Sequence, residues 1–146
     1  MSIYFEEFAL GQKFNSPRSF EIQEDTIRRF ADLSGDKNRL HLDEDFARRT
    51  PFGGRIAHGL LGLSLASGLL HEIGIIRETV LAFTGLEWKF KGPIRIGDRV
   101  SVRMEVARLK SLGARGGIVV FKTELLNQDE AAVQEGSWSM LVRRKE

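Results

Sequence analysis

The feature that most constrains the fold of this chain is a run from Ile56 to Leu70 that contains no Asp, Glu, Lys or Arg. A helix predicted over about 57–72 places the leucines of this run and Ala66 around nearly its whole circumference. A helix that is apolar on all sides is buried, and this one is shorter than the ~20 residues that a membrane span needs. The run therefore predicts a buried helix at the centre of a domain.

The second half of the chain has the pattern of β-strands. Alternating or β-branched residues mark the segments 80–90, 99–109, 116–126 and 132–142. The elements expected before the central helix are a strand at about 14–22, a helix at about 24–33, a loop over 35–41 and a short helix near 43–49. This order predicts a single α+β domain over residues 1–146, with a curved antiparallel sheet of about five strands wrapped around the long central helix.

Composition excludes several classes of protein. The 22 Lys and Arg are balanced by 20 Asp and Glu, for a net charge of +2, and the charges are interleaved, so we expect no nucleic-acid surface. Cysteine is absent, which excludes disulfides and thiolate metal sites and favours a cytoplasmic location. The N-terminus has neither a basic segment nor a long apolar one, so we expect no secretory signal and no membrane association.

Asp36 and His41 lie five residues apart in the predicted polar loop. A carboxylate and an imidazole together can hold and polarise one water molecule. Histidine exchanges protons near neutrality because its unperturbed pKa is ~6.5, whereas an aspartate acts as an acid there only when burial or a hydrogen bond raises its pKa. Either residue could deprotonate the water. The alternative is an aspartate that caps local N–H groups and a histidine that binds a carbonyl.

Gly59 stands at the start of the predicted central helix. The N–H groups in the first turn of a helix have no partner within the helix, and the helix dipole adds partial positive charge there. A carbonyl oxygen held against these groups would gain stabilisation as it becomes an oxyanion. A second interpretation, compatible with the first, is that glycine permits a close approach of another group.

These motifs resemble those of the MaoC-like dehydratases and (R)-specific enoyl-CoA hydratases of the hotdog fold. The family segment S-G-D-x-N-P-[aliphatic]-H-x-D corresponds to residues 34–43, with Arg39 where the family usually has proline. The family's P-I-V-H-G-like start of the central helix corresponds to 55–59, and its F-x-x-P-[aliphatic]-x-x-G-D motif corresponds to 90–98. The resemblance covers almost the whole chain in the expected order.

The resemblance implies hydration of a trans-2-enoyl-CoA to an (R)-3-hydroxyacyl-CoA, or the reverse dehydration. It implies that Asp36 and His41 form the catalytic pair and that Gly59 binds the thioester oxygen. Asn38 would hold the loop or contact substrate. His58 would make a structural hydrogen bond or act in the chemistry, and Ser67 would border the substrate, hydrogen-bond near the catalytic aspartate, or bond back to its own helix.

The same resemblance implies no metal or redox cofactor, since CoA or a pantetheine arm enters as part of an acyl-CoA or acyl-carrier-protein substrate. The three histidines, His41, His58 and His71, form no H-x₃-H or H-E-x-x-H pattern, which argues against zinc. We read His71 as structural. Pairing of edge strands would give a homodimer, or a dimer of dimers, with the substrate tunnel at or near the interface.

Two rival functions use the same fold. A hotdog thioesterase would polarise the thioester at the same helix start, but water would attack the carbonyl and release a free thiol. A non-catalytic acyl-thioester-binding partner subunit would bind acyl-CoA without turnover, and the departure at Arg39 keeps this alternative open.

Overall fold

The computed structural model describes every residue from Met1 to Glu146. Single 3₁₀ turns lie at Phe5–Glu7 and Gly113–Arg115. The strands are β1 (Lys13–Asn15), β2 (Phe20–Glu21), β3 (Val80–Phe90), β4 (Arg99–Ser111), β5 (Gly117–Leu126) and β6 (Ala132–Val142). The helices are α1 (Glu24–Ser34), α2 (Arg39–Leu42), α3 (Glu44–Arg48) and α4 (Gly59–Ile73).

All strand pairs are antiparallel, and the sheet has six strands in the order β1-β4-β5-β6-β3, with β2 also paired to β4. The predicted architecture is confirmed, with one more strand than expected. The strand predicted at 14–22 divides into β1 and β2 around Pro17. Proline has no N–H to donate to a strand ladder, so it breaks the pairing at this point.

Helix α4 packs against the inner face of the sheet through Leu61, Ala66, Leu69 and Leu70. Its expected burial on all sides is wrong for the single chain. One face remains exposed, because the sheet curves around only part of the helix; the exposed residues are Leu60, Ser64, Ser67, Gly68 and His71. No helix in this chain is both long and apolar enough to cross a bilayer.

The segment between α1 and α4 carries the polar motif. Gly35 ends α1 in the left-handed region, with φ of 79°, which glycine adopts without strain. The predicted loop is shorter than expected, because Asn38 accepts a hydrogen bond from the Leu40 N–H at 3.0 Å and starts the single turn α2. This turn includes His41. Asp43 then caps α3 in the same way, through the Phe46 N–H at 3.0 Å.

Candidate active site

The imidazole of His41 is fixed by one hydrogen bond. Its Nδ1 lies 2.9 Å from the main-chain oxygen of Ile56. A carbonyl only accepts hydrogen bonds, so Nδ1 carries the proton and, in the neutral ring, Nε2 keeps its lone pair. The half-buried His41 therefore presents Nε2 as the atom that can accept or return a proton.

His58 contacts both residues of the predicted pair. Its Nε2–H donates to the main-chain oxygen of Asp36 at 2.9 Å, and its ring stacks on His41 with centroids 3.9 Å apart. The ring of Phe30 packs on it at 4.9 Å. Burial lowers the pKa of His58 below its ordinary 6.5; the hydrogen bond to the Asp36 carbonyl partly opposes this decrease, and the charge of the neighbouring His41 adds to it. Near pH 7 His58 is therefore neutral.

Asp36 presents an exposed carboxylate beside these rings. Its Oδ1 accepts the Asn38 N–H at 3.3 Å, and its own N–H donates to Ser34 Oγ at 3.1 Å. One potential ligand atom each from Asp36, His41 and His58 lies within 4.8 Å of the other two. The five-residue spacing thus brings the carboxylate and the imidazole together, as the sequence predicts.

Two imidazoles and a carboxylate are also a donor set that transition metals accept. No local sequence pattern pointed to this cluster, because His41 and His58 come from different segments. The two rings, however, are stacked with only 28° between their planes. The lone pair of an imidazole nitrogen lies in the plane of its ring. Two nearly parallel stacked rings have planes that intersect much farther from the nitrogen atoms than the about 2.0–2.1 Å of a zinc–nitrogen bond. In this arrangement the rings do not converge on one ion.

The start of α4 is uncapped. His58 occupies the N-cap position, and its side chain makes no hydrogen bond to the first turn. The N–H groups of Gly59 and Leu60 therefore have no acceptor within the helix. A Cβ on Gly59 would lie 2.8 Å from the ring of Phe90, so the close approach also requires glycine here. Both interpretations of Gly59 fit this geometry.

A cavity of about 380 Å³ opens beside this helix start, and its walls include Ile56, Gly59, Phe90 and Pro93. Gln134 lies at its edge and is almost completely buried. Its Nε2–H donates to the oxygen of Gly59 at 3.0 Å, and its Oε1 accepts from the Trp88 indole at 2.9 Å. Gln134 could not be identified as a site residue from the sequence, because its burial on β6 depends on contacts with α4 and β3.

Ser67 lies away from the pair. Its hydroxyl donates to the main-chain oxygen of Ser64 at 2.6 Å, and it makes no hydrogen bond to Asp36. Together with Leu70, His71 and Phe83 it lines a second, apolar cavity of about 360 Å³ between α4 and β3. The hydroxyl therefore bonds back to its own helix while facing a space that could hold an apolar group.

Two arginines stand where the family motifs usually have proline, and both hold the segment that carries His41. Arg39 forms an ion pair with Asp43 at 3.0 Å and lies over the ring of Phe46, 4.7 Å from its centroid. Arg55 donates through Nε to the main-chain oxygen of His41 at 2.7 Å. Neither contact could be predicted from the sequence, since no local pattern shows which group a long cationic side chain binds.

Comparison with known proteins places these features in a family. The family model described as "MaoC like domain" matches residues 6–127. The 3-hydroxybutyryl-CoA dehydratase of Methylorubrum extorquens is 39% identical over 107 residues, which cover 73% of this chain and 66% of that relative, just under two thirds of its length. The (R)-specific enoyl-CoA hydratase of Rhodospirillum rubrum is 37% identical over 106 residues, covering 73% of this chain and 71% of the relative.

Solved structures agree over nearly the whole chain. The monoamine oxidase regulatory protein from Archaeoglobus fulgius superimposes with a TM-score of 0.93 at 33% identity, covering 99% of this chain and 97% of the other. A MaoC-like dehydratase from Rhodospirillum rubrum gives 0.89 at 28% identity, covering 99% of each chain. A Mycobacterium tuberculosis protein with a double hotdog fold gives 0.84 at 20% identity, covering 99% of this chain and 45% of that one. The expected hotdog fold is confirmed.

Proposed function

Because this chain belongs to the MaoC-like domain family, we propose that it is a hydro-lyase that hydrates trans-2-enoyl-CoA to (R)-3-hydroxyacyl-CoA, or runs the reverse dehydration. The observation that carries the proposal is the meeting of Asp36 and His41, whose ring is locked with Nε2 free, near the uncapped start of α4. The relatives named as a dehydratase and an (R)-specific hydratase support it.

The proposed reaction adds one water across the C2–C3 double bond of the thioester. A water held by Asp36 and His41 loses a proton to one of them, and its oxygen bonds to C3. Negative charge then develops on the thioester oxygen, where the free N–H groups of Gly59 and Leu60 stabilise it. The other member of the pair, which must carry a proton before the water reacts, supplies that proton to C2. Asp36 and His41 can take these two roles in either assignment, and the dehydration reverses each step.

The cavity beside Gly59 suits the thioester end of the substrate. Ile56 forms part of its wall, and the carbonyl of the same residue binds His41. In this proposal CoA or a pantetheine arm enters with the substrate, and the protein needs no metal or redox cofactor. Extensive dialysis against a chelator should therefore leave turnover unchanged.

We also propose that the chain works as a homodimer or a dimer of dimers. Strand β3 ends the sheet and pairs only with β6, so its outer edge of 11 residues has unpaired main-chain groups. Four of its large apolar side chains are exposed, namely Leu81, Phe83, Leu86 and Phe90. A second copy paired along this edge would cover them and satisfy the main-chain groups.

A spectrophotometric assay with crotonyl-CoA tests the proposed reaction. Loss of the enoyl thioester absorbance and formation of the (R) alcohol would support it. Absence of activity on short and medium enoyl-CoA, or exclusive formation of the (S) alcohol, would refute it. A thiol reagent in the same cuvette distinguishes a hydratase from a thioesterase, because only the thioesterase releases free CoA. Binding of acyl-CoA without turnover would identify a non-catalytic subunit. A cytoplasmic location, proposed from the cysteine-free composition, is tested by cell fractionation.

A further inference from the structure

Arg55 is a buried cation next to the proposed catalytic segment. Only 9% of its side chain is exposed. Its Nε donates to the main-chain oxygen of His41 at 2.7 Å, and its Nη1 lies 3.3 Å from Glu24 Oε1 on α1. Its Nη2 is buried and has no hydrogen-bond partner.

This arrangement is a poor way to stabilise a fold. Taking a guanidinium out of water costs free energy, and an unpaired buried N–H group adds to the cost. Apolar residues often replace buried ion pairs with little loss of stability. The carboxylate of Glu24 is itself about half exposed, so its attraction for Arg55 is screened by water. The strong contact of Arg55 is the charge-assisted bond to the carbonyl of His41.

Arg55 and the adjacent Ile56 bind His41 at its main chain and at its ring, respectively. The side chain of Arg55 binds the main-chain oxygen of His41, while the main-chain oxygen of Ile56 binds the ring at Nδ1. The Ile56 N–H also points to the oxygen of Leu40, at 3.5 Å. The first contact fixes the peptide plane of the turn, and the second fixes the rotation of the ring. The direction of the free Nε2 depends on both.

From these contacts we infer that Arg55 is a positioning residue, which fixes the turn that carries His41 so that Nε2 faces the reacting water. The inference rests on the proposed hydratase activity for its effect on rate. The contact itself does not depend on that activity. Glu24 takes part by orienting the guanidinium, and it also binds the exposed Arg28 at 2.7 Å, which makes Arg28 the matched control.

The kinetic experiment compares three variants with the full-length protein. Arg55→Met keeps an unbranched stem as long as the arginine stem up to Nε but has no donor, and we expect kcat to fall about 10- to 100-fold with KM changed less than about threefold, because misplacement by about 1 Å costs that much rate. Arg55→Lys keeps a positively charged donor group and should recover part of the rate. Arg28→Met, which removes the other partner of Glu24, should retain the kcat of the wild type.

A spectroscopic experiment tests the contact without relying on turnover. In ¹⁵N NMR of the imidazoles, wild-type His41 should show the Nδ1–H tautomer alone, and Arg55→Met should show mixed tautomers or a broadened signal, with Arg28→Met unchanged. A folded Arg55→Met with unchanged His41 signals and kcat within twofold overturns the inference. If Arg55→Met fails to fold, the same two readouts on Arg55→Lys decide. A wild type without hydratase activity would refute the proposed function, while the NMR comparison would still test the contact.

Discussion

Asp36 and His41 act on one water in the proposed reaction, so their contributions to rate should be large and non-additive. General acid–base groups typically contribute ~10²–10⁴-fold in rate. We expect Asp36→Asn and His41→Ala each to lower kcat at least ~100-fold, and the double variant to be little worse than the poorer single one. The measurement is turnover at saturating substrate, with a melting curve for each variant. A folded His41→Ala that loses less than ~10-fold would show that His41 is not one of the two groups.

His58 should make stability depend on pH in a defined window. Its pKa in the folded protein lies below the ordinary 6.5, because the ring is buried. As the pH falls below about 6.5, the unfolded chain takes up a proton that the folded protein resists, and stability is lost until the lowered pKa is reached. Above 6.5 this stability is fully present. His58→Gln, which keeps a donor for the Asp36 carbonyl, should lose less stability on acidification than the wild type.

Urea unfolding at pH 7.5 and pH 5.5 measures this difference. The titratable groups that face His58 are His41 and Asp36, and both remain in the variant, so position 58 is the only titratable position at which the two proteins differ. The pKa values of Glu24 and Asp43 lie below their ordinary 4.5 and 3.8, because hydrogen bonds stabilise the carboxylates, and these groups titrate outside the window. Equal losses in wild type and variant would contradict the prediction.

Arg39 should be replaceable by the proline that is usual in the family. It occupies the first position of α2, where proline is favoured, and Asn38 has φ of −57° and ψ of 135°, which suit a residue before proline. Proline at a compatible site stabilises the folded protein by ~0.4–1 kcal/mol, because it restricts the unfolded chain. The lost ion pair and stacking are worth a similar amount. We expect Arg39→Pro to keep the melting temperature and turnover of the wild type. Arg39→Gly has neither the arginine contacts nor the fixed backbone of proline, so its melting temperature and turnover should fall.

Thermal melting and kcat of the two variants test this expectation. If Arg39→Pro is folded but loses more than tenfold in kcat, the arginine has a role in the site beyond restraining the turn. That result would also weaken the view that the departure from the family motif is neutral for activity.

At the scale of elements, the sequence predicted what depends on local periodicity. The ends of β3 and β6 agree with the prediction, because their alternating and β-branched residues are bounded by clear turns. The division around Pro17 and the single turn α2 were missed, although proline and the capping Asn38 are local signals. The burial of Arg55 and Gln134 could not be predicted, since each packs against segments distant in sequence.

Gly62, in the second turn of α4, should tolerate no side chain, as is also expected of Gly59 at the start of the helix. A Cβ there would lie within 3.0 Å of Gln134 and Ile94, so the helix or the glutamine must move. Overpacking of this kind costs typically 1–3 kcal/mol, and here it also strains the bond between Gln134 and Gly59. We expect Gly62→Ala to lower the melting temperature and kcat together. Ser64→Ala, on the exposed face of the same helix, is the control and should change neither, and equal behaviour of the two variants would contradict the prediction.

At the scale of the whole molecule, the two edges of the sheet differ. Strands β1 and β2, which pair with β4, have three and two residues, whereas β3 at the opposite end has 11 residues with an exposed apolar face. Short edge strands offer few main-chain groups for pairing with another chain, whereas a long apolar edge strand favours such pairing. The exposed face of α4 also contributes to the second cavity, beside β3, through Ser67 and His71. A copy bound along β3 would therefore also cover that cavity.

Leu86→Glu tests this assembly. Leu86 lies near the middle of β3, so a twofold antiparallel pairing centred on the strand brings it close to its own copy, and two carboxylates would face each other there. We expect the wild type to sediment as a dimer or dimer of dimers at micromolar concentration and Leu86→Glu to sediment as a folded monomer. Leu10→Glu introduces the same charge at another exposed leucine and should leave assembly unchanged. A monomeric wild type would refute the dimer, and a dimeric Leu86→Glu would place the interface elsewhere.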